Sequence, residues 1–289
     1  MNWFRILSEL EKADPEIMER LDTRRMAMRD FGSLGTKITL AALPFAMSSM
    51  FTKAYGKTSD VVTDTLNFAL ALEYLEAEFY TVGVANAAAV GIPSGAPMTA
   101  LTKIRDDENA HVLFLKSVLG SAAGAKPNID LTGGGGSMAG PFLPALSDYQ
   151  TYLAAAQTFE DTGVRAYKGQ AGNLVGDNVA LTAALNIHSV EARHASHIRQ
   201  MRAAGGATVD PWITLKSSGI ADPVGALVQS SYNGEENTTQ ATVNIASFSG
   251  ISADAATEAF DEPLTKDQVL AITGTPGAGM GSATAKFFY

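Results

Sequence analysis

Glu108-Asn109-Ala110-His111 and Glu191-Ala192-Arg193-His194 are the two stretches that decide the fold of this chain. Each sets a carboxylate and an imidazole three residues apart. On a helix that spacing is about 300° of rotation and about 4.5 Å of rise, so the two side chains share a face and reach one ion. A single pair of this kind is an ordinary surface ion pair. Two pairs, on two separate long helices, ask what faces them.

Outward from the motifs, apolar residues recur at helical intervals. Val61, Leu66, Phe68, Leu70, Leu72, Leu75 and Phe79 mark a first helix over 60–88, with no Gly or Pro before Gly83. Pro97 opens a second helix that carries the first motif and stops at Gly120. The third follows Ser147-Asp148, a cap pair, and runs through Tyr152, Phe159 and Tyr167 to Gly172. The fourth, 177–204, carries the second motif and ends before Gly205-Gly206. Between the second and third lies 120–146, with Gly133-Gly134-Gly135-Gly136, Pro141, Pro144 and no periodicity. A four-helix bundle admits one such connection, a crossover along its length that starts the third helix parallel to the second. The spacing predicts an all-α four-helix bundle over 60–206, an N-terminal arm over 1–59 and a C-terminal extension over 207–289 that packs on the bundle.

The first and third helices each carry a Glu where a core-facing helix should have an aliphatic side chain. Glu73 stands among Leu70, Leu72 and Leu75, and Glu160 follows Phe159 in an Ala-rich run. Burying an ionised carboxylate costs several kcal/mol unless it is paired or bound to metal. Four converging carboxylates call for two divalent cations. The order Glu, Tyr, Glu-x-x-His occurs twice, since Tyr80 lies seven residues after Glu73 and Tyr167 seven after Glu160. Two such halves build a pseudo-twofold site, each giving one terminal Glu, one bridging Glu and one His. Glu76, about 60° around the helix, rivals Glu73, and Asp161 rivals Glu160. Glu78 is expected in solvent. His188 and His197 lie half a turn apart and cannot both face the core. Tyr80 and Tyr167 are either hydrogen-bond donors to the ligand carboxylates or plain core aromatics.

Leu66-Asn67 followed by Glu73 and Tyr80 resembles the first helix of the bacterioferritin and rubrerythrin branches of the ferritin-like di-iron carboxylate superfamily. The stretches 72–80, Thr158-Phe159-Glu160-Asp161 and Phe260-Asp261-Glu262-Pro263-Leu264-Thr265 are similar to the ferritin-like proteins grouped with desiccation-related proteins. The resemblance implies Glu73 and Glu160 as terminal ligands, Glu108 and Glu191 as bridges, and His111 and His194 as one nitrogen ligand per metal. It implies two iron ions, with manganese or a mixed pair as alternatives, reacting with dioxygen or peroxide in ferroxidase or oxidase fashion. The rival expectations are a non-catalytic stress or envelope protein with a structural metal pair, and an iron-storage homo-oligomer.

Composition narrows the rest. The 289 residues hold 21 Lys and Arg against 30 Asp and Glu, a formal net charge of −9, and no Cys. Thiolate nucleophiles, Cys zinc sites and iron–sulfur clusters are excluded, so any metal sits on oxygen and nitrogen. The charge suits cations and argues against a nucleic-acid partner. The apolar stretch 38–51, broken by Pro44 and flanked by Lys37 and Lys53, is shorter than the ~20 residues of a membrane-spanning helix. With Thr23-Arg24-Arg25 before it and Ala46-Met47-Ser48 within it, the stretch resembles a twin-arginine export signal, which would place the protein in the periplasm. The alternative is an amphipathic helix (Trp3, Phe4, Ile6, Leu7, Leu10) on a cytoplasmic protein. The glycine runs at 133–136 and 277–281 lack the context of a nucleotide loop. Residues 207–289 are rich in Ser, Thr, Gly and Asn, with one alternating stretch over 242–246 and a short helix expected after Thr265.

Overall fold

The computed structural model describes residues 59–221, 224–274 and 285–289. The arginine pair, the apolar stretch 38–51, the N-terminal amphipathic pattern and the glycines at 277–281 lie outside the described residues.

Among the described residues four long helices carry the fold: α1 (Ser59–Ala85), α3 (Ala96–Leu119), α4 (Tyr149–Ala171) and α5 (Asn178–Ala204), with a single turn, α2 (Ala87–Val90), after the first. Their ends follow local chemistry. Pro97 sits in the first turn of α3, where its missing N–H costs nothing, and Gly95 and Gly120 bracket that helix with φ of 85° and 55°. Asp148 caps α4 by accepting from the Thr151 N–H at 2.8 Å. Asp177 caps α5 by accepting from the Val179 and Ala180 N–H groups.

Cross-helix bonds fix the directions. Asn67 donates to the Ala122 carbonyl while Asn109 donates to Thr81, so α1 and α3 are antiparallel. Tyr167 meets Glu73 and Tyr80 meets Glu160, so α1 and α4 are antiparallel too. Helix α4 then runs parallel to α3, and the chain between them must travel the bundle's length. Asp130 organises that crossover: its carboxylate accepts from the Thr132, Gly136 and Met138 N–H groups at 2.9–3.0 Å. In the glycine run, Gly133, Gly135 and Gly136 adopt φ of 72°, 64° and 93°. The loop pairs with the last residues, the Gly135 N–H donating to the Lys286 carbonyl and the Lys286 N–H to the Gly133 carbonyl, both at 2.8 Å.

The core has two apolar layers with a polar one between them. One layer gathers around Phe79, Tyr152 and Phe159, with Phe287 inserted 5.2 Å from Phe159. The other holds Leu66, Leu70, Leu115, Leu174 and Ile187. The described residues beyond 206 pack against α1 and α4, where Leu264 and Val269 cover Phe68, Leu72 and Ala166. Gly169 of α4 is the point of closest approach, since a Cβ there would stand 1.9 Å from the Leu264 carbonyl oxygen. In this region α6 (Val224–Val228) and α7 (Ala253–Thr257) are short, and α8 (Lys266–Thr273) starts with a capping box of Thr265 and Gln268. The alternating stretch over 242–246 gives only a minimal hairpin, β1 (Thr239–Gln240) against β2 (Val243–Asn244), because Ile245–Ser247 turns into a 3-10 helix. No helix among the described residues is long and apolar enough to cross a membrane.

Candidate metal centre

The polar layer contains the two Glu-x-x-His motifs. Glu108 and His111 project from α3, Glu191 and His194 from α5, Glu73 from α1 and Glu160 from α4. The four carboxylates are 0% exposed, and His111 and His194 are 8% and 6% exposed. They form two overlapping groups, Glu73/Glu108/His111/Glu191 and Glu108/Glu160/Glu191/His194, each offering ligand atoms within 4.8 Å of one another. Glu108 and Glu191 belong to both. All six residues singled out from the sequence are therefore brought together, in the pattern of two private carboxylates, two shared ones and one imidazole on each side.

His111 Nδ1 lies 3.2 Å from Glu73 Oε2 and from Glu108 Oε2, and 3.1 Å from Glu191 Oε1. His194 Nδ1 lies 2.8 Å from Glu108 Oε1, 3.4 Å from Glu160 Oε2 and 3.5 Å from Glu191 Oε2. Yet Glu108 Oε1, Glu160 Oε2, both oxygens of Glu191 and His194 Nδ1 are buried without a hydrogen bond. These atoms converge at contact distance without the alignment that hydrogen bonds need. Orphaned buried polar atoms are rare and costly. Here they cluster, and the donor set of carboxylate oxygens with one imidazole nitrogen per group fits a pair of hard or borderline divalent ions.

Protonation follows from the same burial. Burial, then the neighbouring Glu191, pushes the Glu73 carboxyl well above the usual range, and burial does the same for Glu160. For His111 burial opposes the charge, but Glu108, Glu191 and Glu73 overcome it and push the imidazole up to about 12. His194 is raised likewise, chiefly by Glu160 against burial. Without a cation, the cluster holds protons in its place.

The two tyrosines meet the carboxylates crosswise. Tyr80, on the helix of Glu73, donates to Glu160, and Tyr167, on the helix of Glu160, donates to Glu73 at 2.5 Å. Each phenol is raised well above its usual value, first by burial and then by the carboxylate it touches, so it stays a donor.

The rivals separate. Glu76 is buried at 4% exposure but belongs to neither group. Asp161 turns away and pairs with Arg199 at 2.6 Å, accepting also from the Tyr232 hydroxyl. Glu78 is partly exposed and paired with Lys126. His197 is exposed, and His188 is partly buried outside both groups.

One contact escaped the sequence. His194 Nε2 lies 3.3 Å from Asp107 Oδ2, the residue just before Glu108. A carboxylate there fixes the ring and leaves Nδ1 to face the cluster. Its counterpart before Glu191 is Val190, so the doublets Asp107-Glu108 and Val190-Glu191 were the available signal. Gly163, in mid-helix, also had a reason: a Cβ there would stand 3.3 Å from Glu76 Oε1 and 3.9 Å from Glu191 Cγ.

A family model described as a ferritin-like domain matches residues 61–204. The chain belongs to the ferritin-like superfamily. No curated protein and no solved structure matches it. The ferritin-like domain covers all four long helices and every residue of both groups, while the C-terminal extension that packs on it lies beyond the match.

Proposed function

We propose that the ferritin-like domain binds two divalent metal ions and that the loaded protein reacts with dioxygen or peroxide as a ferroxidase or oxidase. Iron is the metal proposed, with manganese or a mixed pair as the alternatives. The carrying observation is the set of five buried, hydrogen-bond-orphaned ligand atoms in one layer, split between two groups that share Glu108 and Glu191. Glu73 and His111 would serve one ion, Glu160 and His194 the other.

When bound, an iron pair supplies two electrons to dioxygen or peroxide. The chain supplies the rest. Tyr167 and Tyr80 hold Glu73 and Glu160 by one oxygen each, which leaves the other oxygen of each carboxylate for a metal. Asp107 holds His194 by Nε2, which leaves Nδ1. The apolar layers above and below exclude water and preserve the strength of these contacts. Similarity of residues 72–80, 158–161 and 260–265 supports the further reading that the protein belongs with the desiccation-related group.

The test is metal content per chain after purification without added metal, then anaerobic Fe(II) titration and exposure to air. Two metals per chain and a new near-ultraviolet absorption are expected. Glu108→Ala and Glu191→Ala should each abolish paired binding, and an unchanged stoichiometry would sink the ligand assignment. Fewer than one metal per chain after titration would reduce the cluster to an ion-pair network.

A further inference from the structure

Between α1, α4 and the C-terminal extension lies a cavity of about 30 Å³. One water needs about 10–15 Å³, so the space takes one or two molecules of that size and nothing bulkier. Its walls are mostly carbon, with Leu72, Leu75 and Phe159 on the bundle side and Val228, Ile272 and Phe287 on the side of the extension. Among the described residues five side chains bring polar atoms to the lining, and three of them are already committed. Thr158, Thr162 and Thr273 donate their hydroxyls to the carbonyls of Ala154, Thr158 and Val269, one turn back in their own helices.

The other two are Glu76 and Ser231. Ser231 is 0% exposed and its Oγ has no hydrogen-bond partner. Glu76 is 4% exposed, and its carboxyl has no hydrogen-bond partner among the described residues. A buried hydroxyl and a buried carboxyl without partners each cost free energy that packing does not return. Gly163 lines the cavity on the side of the metal centre. A Cβ on it would stand 3.3 Å from Glu76 Oε1 and 3.9 Å from Glu191 Cγ, so the missing side chain leaves the cavity next to a residue of both cation groups. An alanine at 163 would suit the helix better by about 1 kcal/mol, but it would crowd this gap.

Size and hydrogen-bond count together select the occupant. A guest must be no larger than two waters and must satisfy two groups in an otherwise carbon-lined space. Two waters bring four O–H donors; with one spent between them, three remain for the two groups. Dioxygen fits the space and leaves both groups unpaired. Hydrogen peroxide has two joined oxygens and two O–H donors, one end for each group. We propose that this cavity binds hydrogen peroxide, one end donating to the Glu76 carboxyl and the other held by the Ser231 hydroxyl. The inference rests on the dimetal reading and deepens it by naming peroxide as the oxidant. The O–O bond then breaks, two electrons come from two Fe(II) that become Fe(III), two protons come from solvent, and two waters leave. Binding itself requires no metal. Ser231 and Phe287 lie beyond the match to the ferritin-like domain, so the site belongs to the extension as much as to the bundle.

The experiment titrates the full metal-free chain with hydrogen peroxide and follows the amide NMR signals of Thr162, Gly163 and Ser231. Melting curves and mass spectra confirm that each variant is folded and unoxidised. Saturable shifts are expected at these three amides. Ser231→Ala and Glu76→Leu should each weaken peroxide about fivefold, the worth of one hydrogen bond, and Ser231→Val, which also fills the space, should abolish the shifts. Absence of saturable shifts, or indifference to all three substitutions, would overturn the proposal. On the Fe(II)-loaded chain, Ser231→Ala should lower the rate of oxidation by peroxide about fivefold relative to the rate with dioxygen. An equal fall for the two oxidants would overturn the choice of peroxide. Metal is counted on the same preparations. Two metals per chain with no saturable shifts would overturn the cavity and spare the metal centre, whereas saturable shifts with fewer than one metal per chain after titration would support the cavity and sink the centre.

Discussion

Asp107 makes the two sides of the centre unequal. It steadies His194, while the matching position before Glu191 is a valine that can steady nothing. Asp107 is itself held below the usual carboxylate range by Lys103 and His194 against some burial. Removing such a support lowers metal affinity by about 10–100-fold. Asp107→Asn should therefore weaken one of the two metal-binding events by that factor and leave the other nearly unchanged, as calorimetric titration would resolve. Equal weakening of both would remove the asymmetry. A second expectation concerns protons. Glu73 and Glu160 are raised, and His111 is raised to about 12, so near neutral pH the metal-free cluster retains protons that metal must displace. Apparent affinity should rise with pH between about 6 and 8, with proton release visible when heats are compared in buffers of different ionisation enthalpy. Flat affinity and no release would contradict the assignment. At this scale the six ligand candidates were legible because a charged residue in an apolar stripe is conspicuous. Which of Glu73 and Glu76 joins the cluster was not, because both are buried on one helix and only the grouping of ligand atoms in space, which includes Glu73 and leaves out Glu76, separates them.

Helix α4 is the element with the most to lose. Arg165, Arg199 and Arg202 run from α4 and α5 into the backbone of the extension, Arg165 reaching the carbonyls of Ser231, Asn233 and Glu262. Arg165 and Glu235 form a salt bridge at 2.7 Å with both side chains 1% exposed. Removing one partner of such a pair leaves a buried charge and costs about 3–5 kcal/mol. Arg165→Met should lose that amount in denaturant unfolding, and Arg165→Met with Glu235→Leu should recover much of it. A loss below about 1 kcal/mol for the single variant would show the pair to be solvated. The helices themselves were readable to within a few residues, since Asp148, Asp177, Pro97 and Gly120 are strong local punctuation. That residues 207–289 pack on the bundle was an expectation of the sequence, but the means of attachment was not legible in it. The segment's apolar content is thin, and beside the apolar contacts of Leu264, Val269 and Phe287 the attachment uses arginines threaded onto carbonyls, which no hydrophobic periodicity registers.

For the molecule as a whole, a polar layer of four carboxylates between two apolar ones is a poor core until something neutralises it. Ligand binding stabilises a fold by about 2.7 kcal/mol per site at a hundredfold excess over Kd. Melting temperature should rise when Fe(II) or Mn(II) is added anaerobically and fall back with chelator, with Glu191→Ala losing most of the rise. An unchanged melting curve would mean that the layer is already satisfied by its own protons. The pseudo-twofold plan of this layer could be read from spacing alone, because Glu, Tyr and Glu-x-x-His repeat in order. The crosswise tyrosines could not, since phase on one helix says nothing about which neighbour a phenol will meet.

That crossing has a consequence for ancestry and for dissection. Each cation group draws on both helical hairpins, α1 with α3 and α4 with α5, and each hairpin's phenol is spent on the other's carboxylate. Neither hairpin alone contains a centre. A free-standing hairpin of this design could assemble one only by docking on a second copy of itself across a twofold axis, so the internal repeat has the geometry of a symmetric dimer whose two subunits became one chain.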